Sequence, residues 1–357
     1  WQEKNMSKSI HALTRRFIMT ATAIGAATMT IPAGAYAETV NIYSFRQPPL
    51  IEPVLKAFTA KTGIEANVLF LDKGLDERIA AEGENSPADV ILTIDIARLA
   101  AVVDKGVTQP VTDETINSAI PAQYRDPAGN WFGLTKRGRV VYASKDRVAQ
   151  DAITYEELSD PKWKGKICTR SGQHDYNLAL ISSMIAHSGP EKAEEWLKAV
   201  KANLARKPEG GDRDQAKAIF AGECDIAIGN TYYVGQMLTN EKEPEQKDWA
   251  GAIKVLFPNA ADRGTHVNIS GMALAKYAPN KDAALKLMQF LASPEAQKIY
   301  AEQVFEYPVD PNTKPSELVA GWGELKADAL PLTEVAKHRK EASEMVDRVA
   351  FDDGADS

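Results

Sequence analysis

The chain has 357 residues, with 42 basic and 49 acidic side chains and a formal net charge of −7. This acidic balance disfavours nucleic acid as a partner, because binding to phosphates requires a basic surface. After residue 37, no segment supplies the roughly 18 uninterrupted apolar residues that a membrane span needs.

The first 37 residues are predicted to be an export signal. Its three parts are a basic start, an apolar stretch and a small-x-small cleavage site: Lys8, Arg15 and Arg16; Phe17 to Thr30; and Ala35-Tyr36-Ala37. The arginine pair favours the twin-arginine route, although such a pair also occurs in general secretory signals. Residues 1–5 precede Met6, the expected natural start, and are treated as non-native. The mature protein is then expected to begin at Glu38 in the periplasm, with 38 basic and 48 acidic residues.

Strands and helices alternate along the mature chain. The first run predicts strands at 39–44, 64–71 and 88–93 and helices at 53–62, 75–82 and 96–105. A second run of alternating elements follows later in the chain, with strands predicted at 166–168 and 226–228 and helices at 177–186, 191–202 and 214–221. Such alternation predicts an α/β protein with mainly parallel sheets covered on both faces.

Two extended stretches at 131–142 and 266–277 lie between these units and are rich in Val, Ile and Gly. They predict two lobes joined by two crossing hinge strands. The predicted division is 38–136 plus 266–310 for the first lobe and 137–265 plus 311–357 for the second. Helices at 281–291 and 294–304 are expected to return apolar faces to a core, and the acidic end from 352 to 357 is expected to fray.

Cys168 and Cys224 are the only cysteines. In an oxidising compartment an even pair is expected to be bonded, which would tie the segment before Tyr176 to the segment before Tyr232. Two thiols are too few for a structural zinc site, and no Cys-x-x-Cys spacing indicates redox chemistry.

Tyr232 and Tyr233 stand side by side where an apolar strand-like run ends at Gly229-Asn230 and a turn is expected. Holding one tyrosine as phenolate at pH 7 means lowering its pKa by about 3 units, or about 4 kcal/mol, which a strong cation must supply. Ferric iron fits, because tyrosinate is a known Fe(III) ligand and hard oxygen donors suit a hard ion. The alternative for this dipeptide is ordinary packing of one ring with the other solvated.

Five segments spread over residues 39–354 carry a family pattern: Tyr43 to Gln47, Glu82 to Val90, Trp131 to Arg137, Tyr176-Asn177, and Gly229 to Tyr233. Together they resemble the bacterial periplasmic ferric-ion-binding proteins, the substrate-binding components of iron ABC importers. The resemblance implies a type II, transferrin-lobe-like clamp of two α/β lobes. It also implies Fe(III) as cargo, an inner-membrane permease with its ATPase as partners, and a monomer.

The resemblance further implies a ligand set. Tyr232 and Tyr233 match the paired iron ligands, and Tyr176 matches a third tyrosine that one branch of the family adds. Many members supply a His shortly after the first strand, but Gln47 and Pro48 occupy the matching positions here. The chain therefore resembles the subgroup that completes coordination with a synergistic anion such as carbonate.

Fe(III) with three tyrosinates is formally neutral, so a bidentate carbonate would make the site anionic and call for a nearby cation. Arg137 is the first candidate, because a guanidinium fork matches a carboxylate-like anion. Arg46 and Arg139 are weaker candidates whose ordinary role would be surface ion pairing. Further groups expected near the metal are Gln47, Asn230 and Thr231, the N–H groups of residues 171–173, and His174 as either a ligand or a solvated side chain.

Catalysis is disfavoured, since neither a Gly-x-Ser-x-Gly elbow nor a His-Glu-x-x-His helix is present. The remaining alternative is a binding protein of the same architecture for an organic anion, a thiamine-like molecule or a polyamine, on which the tyrosines would stack. In the iron reading, all three tyrosines come from the second lobe. Iron is therefore expected to bind to the open clamp, and closure is expected to depend on Arg46 and Gln47.

Overall fold

The computed structural model describes residues 38–355, so the predicted export signal lies outside the described residues. Within this range the strands are β1 (Thr39–Ser44), β2 (Glu65–Phe70), β3 (Val90–Thr93), β4 (Thr108–Gln109), β5 (Phe132–Ser144), β6 (Ile167–Cys168), β7 (Ile226–Asn230), β8 (Ile253–Leu256), β9 (Val267–Ala275) and β10 (Tyr307–Pro308). The first seven helices are α1 (Glu52–Thr62), α2 (Leu75–Glu82), α3 (Ile96–Asp104), α4 (Glu114–Ala119), α5 (Asp175–Ser188), α6 (Pro190–Ala202) and α7 (Asp212–Ala221). The others are α8 (Thr231–Leu238), α9 (Glu245–Gly251), α10 (Lys281–Ala292), α11 (Pro294–Ile299), α12 (Glu317–Ala320), α13 (Leu332–Lys337) and α14 (Arg339–Val349). No helix in this range is long and apolar enough to cross a membrane.

The strands form one sheet in the order β2-β1-β3-β9-β5-β7-β6. The outer groups are parallel, as expected: β1 pairs in parallel with β2 and β3, and β6 with β7. The strands that join these groups are antiparallel, because β9 runs against both β3 and β5, and β5 runs against β7. The expectation of a mainly parallel sheet is therefore correct within each group and wrong at the junction.

Strand β5 crosses the whole junction. Its first half pairs with β9 from Phe132 to Gly138, and its second half pairs with β7 and β8 from Arg139 to Ser144. Thirteen residues in one extended run therefore pass from one half of the molecule to the other. The change of partner at Gly138-Arg139 puts neighbouring arginines of this strand, Arg137 and Arg139, directly at the junction.

Separate hydrophobic cores lie on the two sides of this junction. One cluster is built from buried side chains between residues 40 and 134 and between 269 and 309, together with Leu332. The others take theirs from residues 140–256 and 342–351. We call these sides the first and second lobe. The residue-level division given above stays a prediction.

A disulfide joins Cys168 and Cys224, which are 56 residues apart in sequence and buried. Cys168 ends β6, and Cys224 lies two residues before β7, the parallel partner of β6. The bond therefore fixes the pair of strands from which the chain enters α5 and α8.

His266 precedes β9 at the junction and is buried. Its carbonyl accepts a hydrogen bond from the Arg139 N–H, and its Nε2 has no hydrogen-bond partner among the described residues. Burial lowers the pKa of His266 to about 4, and the charge of Arg139 acts in the same direction against the opposing effect of Asp328. The folded protein therefore holds this imidazole neutral.

The pKa of His266 makes stability depend on pH. An unfolded histidine titrates near 6.5, so protons favour the unfolded chain as pH falls from about 6.5 to 4, at a cost of about 3 kcal/mol. The stabilisation is complete above pH 6.5. We expect urea unfolding of the ligand-free protein to show this loss of stability, and the loss to be smaller in His266→Gln. The control is His338→Gln, which removes a partly exposed histidine. Equal pH slopes in all three proteins would contradict the assignment.

Candidate metal centre

The three tyrosines predicted as ligands lie in the first turns of two helices. Tyr176 is the second residue of α5, and Tyr232 and Tyr233 are the second and third residues of α8. The turn expected at Tyr232 is therefore a helix start. The positive end of a helix dipole and its free N–H groups favour negative charge, so these positions favour a phenolate and a nearby anion.

The phenols converge on one cleft. The Tyr176 and Tyr232 hydroxyl oxygens are 3.2 Å apart, and the ring centres of Tyr232 and Tyr233 are 4.2 Å apart. All three line a cleft of about 1090 Å³, together with side chains from the first lobe such as Phe45 and Gln47. The fold therefore brings the three candidate ligands together in one cleft that is lined by both lobes.

Two glycines make this arrangement possible. Gly229 lies under the ring of Tyr142, where a Cβ atom would come within 2.2 Å of the ring, and the Tyr142 hydroxyl donates to the Asn230 carbonyl. Gly235, in α8, lets Phe305 approach the helix, since a Cβ there would lie 2.5 Å from the Phe305 ring. The contact between Gly229 and Tyr142 fixes the backbone just before α8, and the contact between Gly235 and Phe305 fixes how α8 packs.

Burial raises the pKa of Tyr232 well above its ordinary value, and the neighbouring Tyr176 and Tyr233 add to the effect. Burial also raises the pKa of Tyr233, again with Tyr176 and Asp212 contributing. Both phenols therefore keep their protons until a cation displaces them. A metal bound here must release protons, and only a highly charged ion repays that cost.

Four guanidinium groups surround these rings. The Cζ atoms of Arg137, Arg139 and Arg170 lie 5.4, 5.8 and 5.2 Å from the centre of the Tyr176 ring. Arg213 lies 4.8 Å from the centre of the Tyr233 ring. Arg170 and Arg213 were not predicted, because no motif distinguishes them from surface arginines.

Arg139 is a buried ion-pair partner, which corrects the expectation of a surface role. Its Nη1 donates to Asp212 at 2.6 Å and to Asn230 Oδ1 at 3.0 Å, and its Nη2 donates to Asn177 at 2.8 Å. Arg170 Nη1 also donates to Asp212, at 3.2 Å. Burial alone would raise the pKa of Asp212, but Arg139 and Arg170 hold it below its usual range.

Arg46 is also buried rather than at the surface, with only 2% of it exposed. Its Nη1 and Nη2 donate to Glu306 at 3.3 and 3.0 Å. Both terminal nitrogens of Arg46 are therefore used by Glu306, and Arg46 does not line the cleft; its part in closure stays a prediction. Gln47 does line the cleft.

Among the predicted arginines, Arg137 has the most unpaired nitrogens, since Arg46 and Arg139 each leave only Nε without a partner among the described residues. Its Nη1 lies 3.7 Å from Glu306 Oε1, while its Nε and Nη2 are buried and make no hydrogen bond to the described residues. The Thr231 hydroxyl is likewise buried and unpaired within residues 38–355. These orphaned donors are what a site for an oxyanion requires.

His174 caps α5 through its Nδ1, which accepts the Tyr176 N–H at 3.2 Å, and its role as a ligand stays a prediction. One other expectation is corrected. The proposed anion nest at residues 171–173 is already filled: Gly172 N–H donates to Asp352 at 2.6 Å, and the Ser171 hydroxyl donates to the same carboxylate. Asp352 is therefore anchored rather than frayed.

The described part of the chain contains no group of three or more His, Cys, Asp or Glu side chains arranged to hold a metal ion. The tyrosine cluster is thus a different kind of donor set. Three phenol oxygens and an oxyanion would form an all-oxygen environment, which suits a hard ion.

A family model described as bacterial extracellular solute-binding protein matches residues 46–298. The chain is 41% identical over 315 residues to iron uptake protein A1 of Synechocystis sp., and the alignment covers 87% of each protein. The apo ferric ion-binding protein A of Pasteurella haemolytica is 49% identical, with 90% of this chain and 100% of that chain covered and a TM-score of 0.85. A Trichodesmium protein in complex with iron and citrate ligands is 42% identical, with 88% and 99% covered and a TM-score of 0.82.

Proposed function

This chain belongs to the bacterial extracellular solute-binding protein family, among its ferric-iron-binding members, and we propose that it holds Fe(III) through Tyr176, Tyr232 and Tyr233. The main support for this proposal is that three phenol side chains from the first turns of two helices line one cleft, with the Tyr176 and Tyr232 hydroxyl oxygens 3.2 Å apart. Three tyrosinates neutralise a trivalent ion. The function is capture of a ligand, not catalysis.

Ferric iron fits this donor set better than softer metals. Thiolate ligands are absent from the cleft, because Cys168 and Cys224 are joined to each other. Burial raises the pKa of Tyr232 and Tyr233, so a divalent ion would gain less from each phenolate while the same protons had to leave. The raised pKa values therefore favour a trivalent ion.

Arg137 is the proposed anchor of a synergistic anion that fills the remaining coordination positions. Its Nε and Nη2 have no other partner among the described residues, and the first turns of α5 and α8 add N–H groups and positive dipole ends. Carbonate is the anion we propose. A hydroxycarboxylate is the alternative, since the Trichodesmium relative is in complex with citrate as well as iron.

In this account the protein is a monomeric periplasmic receptor that passes iron to an inner-membrane permease driven by a cytoplasmic ATPase. The tyrosines all come from the second lobe, so iron can bind before the lobes approach. Closure gains its free energy from first-lobe groups that meet the bound complex, such as Gln47.

Iron loading separates this function from binding of a small organic ligand. Adding Fe(III) with bicarbonate to the iron-free protein is expected to produce the visible absorption of tyrosinate bonded to iron, with one iron per chain. Removal of iron by a chelator should abolish the absorption. The iron function would be contradicted if the protein stayed colourless after ferric loading and calorimetry showed that it binds an organic anion, a thiamine-like molecule or a polyamine instead.

A further inference from the structure

Two buried carboxylates each join two arginines behind the tyrosine cluster. Glu306 lies between Arg46 and Arg137, and Asp212 lies between Arg139 and Arg170. Both carboxylates are about 1% exposed. We call these six residues the charge frame.

Glu306 is held by a strained turn. The chain makes a π-helical turn at Tyr300–Val304, and Phe305 then takes a left-handed conformation with φ of 62°, which a bulky residue rarely adopts. The same turn seats Phe305 against Tyr232 and places Glu306, immediately before β10, beside β5, where it accepts a hydrogen bond from the Thr135 hydroxyl at 2.5 Å. Such π-turns and backbone outliers often mark functional positions.

Asp212 is fixed just as firmly from the second lobe. Besides Arg139 and Arg170, it accepts the N–H of Asn230, the residue immediately before α8, at 2.8 Å. Each carboxylate thus contacts two arginines and is also linked to the tyrosines. Asp212 binds the backbone just before α8, and Glu306 follows Phe305, which packs against Tyr232. Neither carboxylate lines the cleft itself.

The frame has a definite net charge. Four guanidinium groups and two carboxylates leave +2, and the partly buried Arg213, 4.8 Å from the centre of the Tyr233 ring, adds a further positive charge outside the frame. Fe(III) with three tyrosinates is neutral, so a bound dianion gives the complex a charge of −2. The two carboxylates therefore bring the positive charge around the tyrosines closer in magnitude to the charge of this complex.

We infer that Glu306 and Asp212 limit the charge of the synergistic anion, by offsetting two of the positive charges around the tyrosines and so favouring a dianion over a more highly charged anion. The inference rests on the proposed iron function. Without these carboxylates the same arginines would favour a more highly charged anion, because an unscreened buried charge acts over several ångströms. Glu306 and Asp212 are therefore positioning and specificity residues rather than ligands.

The test compares carboxylates that differ in charge. Fe(III) is supplied at a fixed concentration with a fixed competing chelator, and the tyrosinate-to-iron absorption is followed while glycolate, malonate or propane-1,2,3-tricarboxylate is added. These carry about one, two and three negative charges near neutral pH. The quantity measured is the ratio of the half-saturating concentrations for any two anions, which cancels differences in iron affinity.

Glu306→Gln raises the frame to +3 and is expected to shift the malonate-to-tricarboxylate ratio at least about tenfold toward the tricarboxylate. Asp212→Asn should shift it in the same direction. Arg46→Gln lowers the frame to +1 and should shift preference toward glycolate. The control is Glu302→Gln, an exposed glutamate in the same turn.

The double variant Arg46→Gln/Glu306→Gln restores +2 and is expected to return the ratio to near that of the unmodified protein, which loss of structure would not do. If Glu306→Gln does not fold, Arg46→Gln, Asp212→Asn and the double variant decide the question. Unchanged ratios in the folded variants would overturn the inference while leaving the iron function intact. Absence of the absorption in the unmodified protein would instead refute the iron function.

Discussion

Tyr233→Phe is expected to weaken ferric iron binding at least about 100-fold and to remove much of the visible absorption of the iron complex. Changes to groups that merely orient metal ligands commonly cost 10- to 100-fold in affinity, so loss of a ligand should cost at least as much. The change removes a single hydroxyl and keeps the ring that packs against Tyr232. Competition with a chelator of known iron affinity measures the loss.

Tyr277→Phe is the matched control, because Tyr277 is 41% exposed and does not line the cleft. It should bind iron as the unmodified protein does. Thermal unfolding of both iron-free variants should be nearly unchanged, which separates a ligand effect from a folding effect. Retention of full affinity and colour by Tyr233→Phe would show that this tyrosine packs rather than binds.

Loss of the disulfide is expected to lower the free energy of unfolding by about 4 kcal/mol, from the loop entropy of a bridge that closes 56 residues. Cys168→Ala/Cys224→Ala is the variant to use, because both positions are buried and alanine adds no polar group to the core. Urea unfolding of the iron-free protein gives the difference.

The difference should be the same when iron is bound, because a ligand that binds only the folded state with equal affinity adds the same stability to both proteins. Treatment with a reductant should destabilise the unmodified protein to the level of the double variant and leave the double variant unchanged. A difference below about 1 kcal/mol would show that the paired strands β6 and β7 hold this part of the sheet without the bond.

Regular elements with clear periodicity were predictable from sequence. The strand at Thr39–Ser44 and the helix at Leu75–Glu82 have the predicted bounds, since an alternating run and a glycine at each helix end define them. The helix at Arg339–Val349 was not predicted: its apolar positions are few and charged residues dominate it. It is stabilised by packing on the second-lobe core, which only the fold supplies.

The candidate ligands were predictable because the residue types themselves carry the chemistry and the family pattern fixes their places. The buried charged residues that surround these ligands were not predictable from the sequence. Glu306 lies 260 residues from Arg46 and 169 residues from Arg137 in sequence, and an isolated glutamate between Phe305 and Tyr307 gives no sign of a buried ion pair. The same holds for Asp212, which looks like an ordinary acidic residue at the start of a helix.

The most direct test of the account is a crystal structure of the ferric protein with anomalous scattering measured at the iron edge. The account predicts a single iron within bonding distance of the phenol oxygens of Tyr176, Tyr232 and Tyr233, with an anion held by Arg137. Iron bound elsewhere, or a cleft with no anomalous peak after ferric loading, would contradict it.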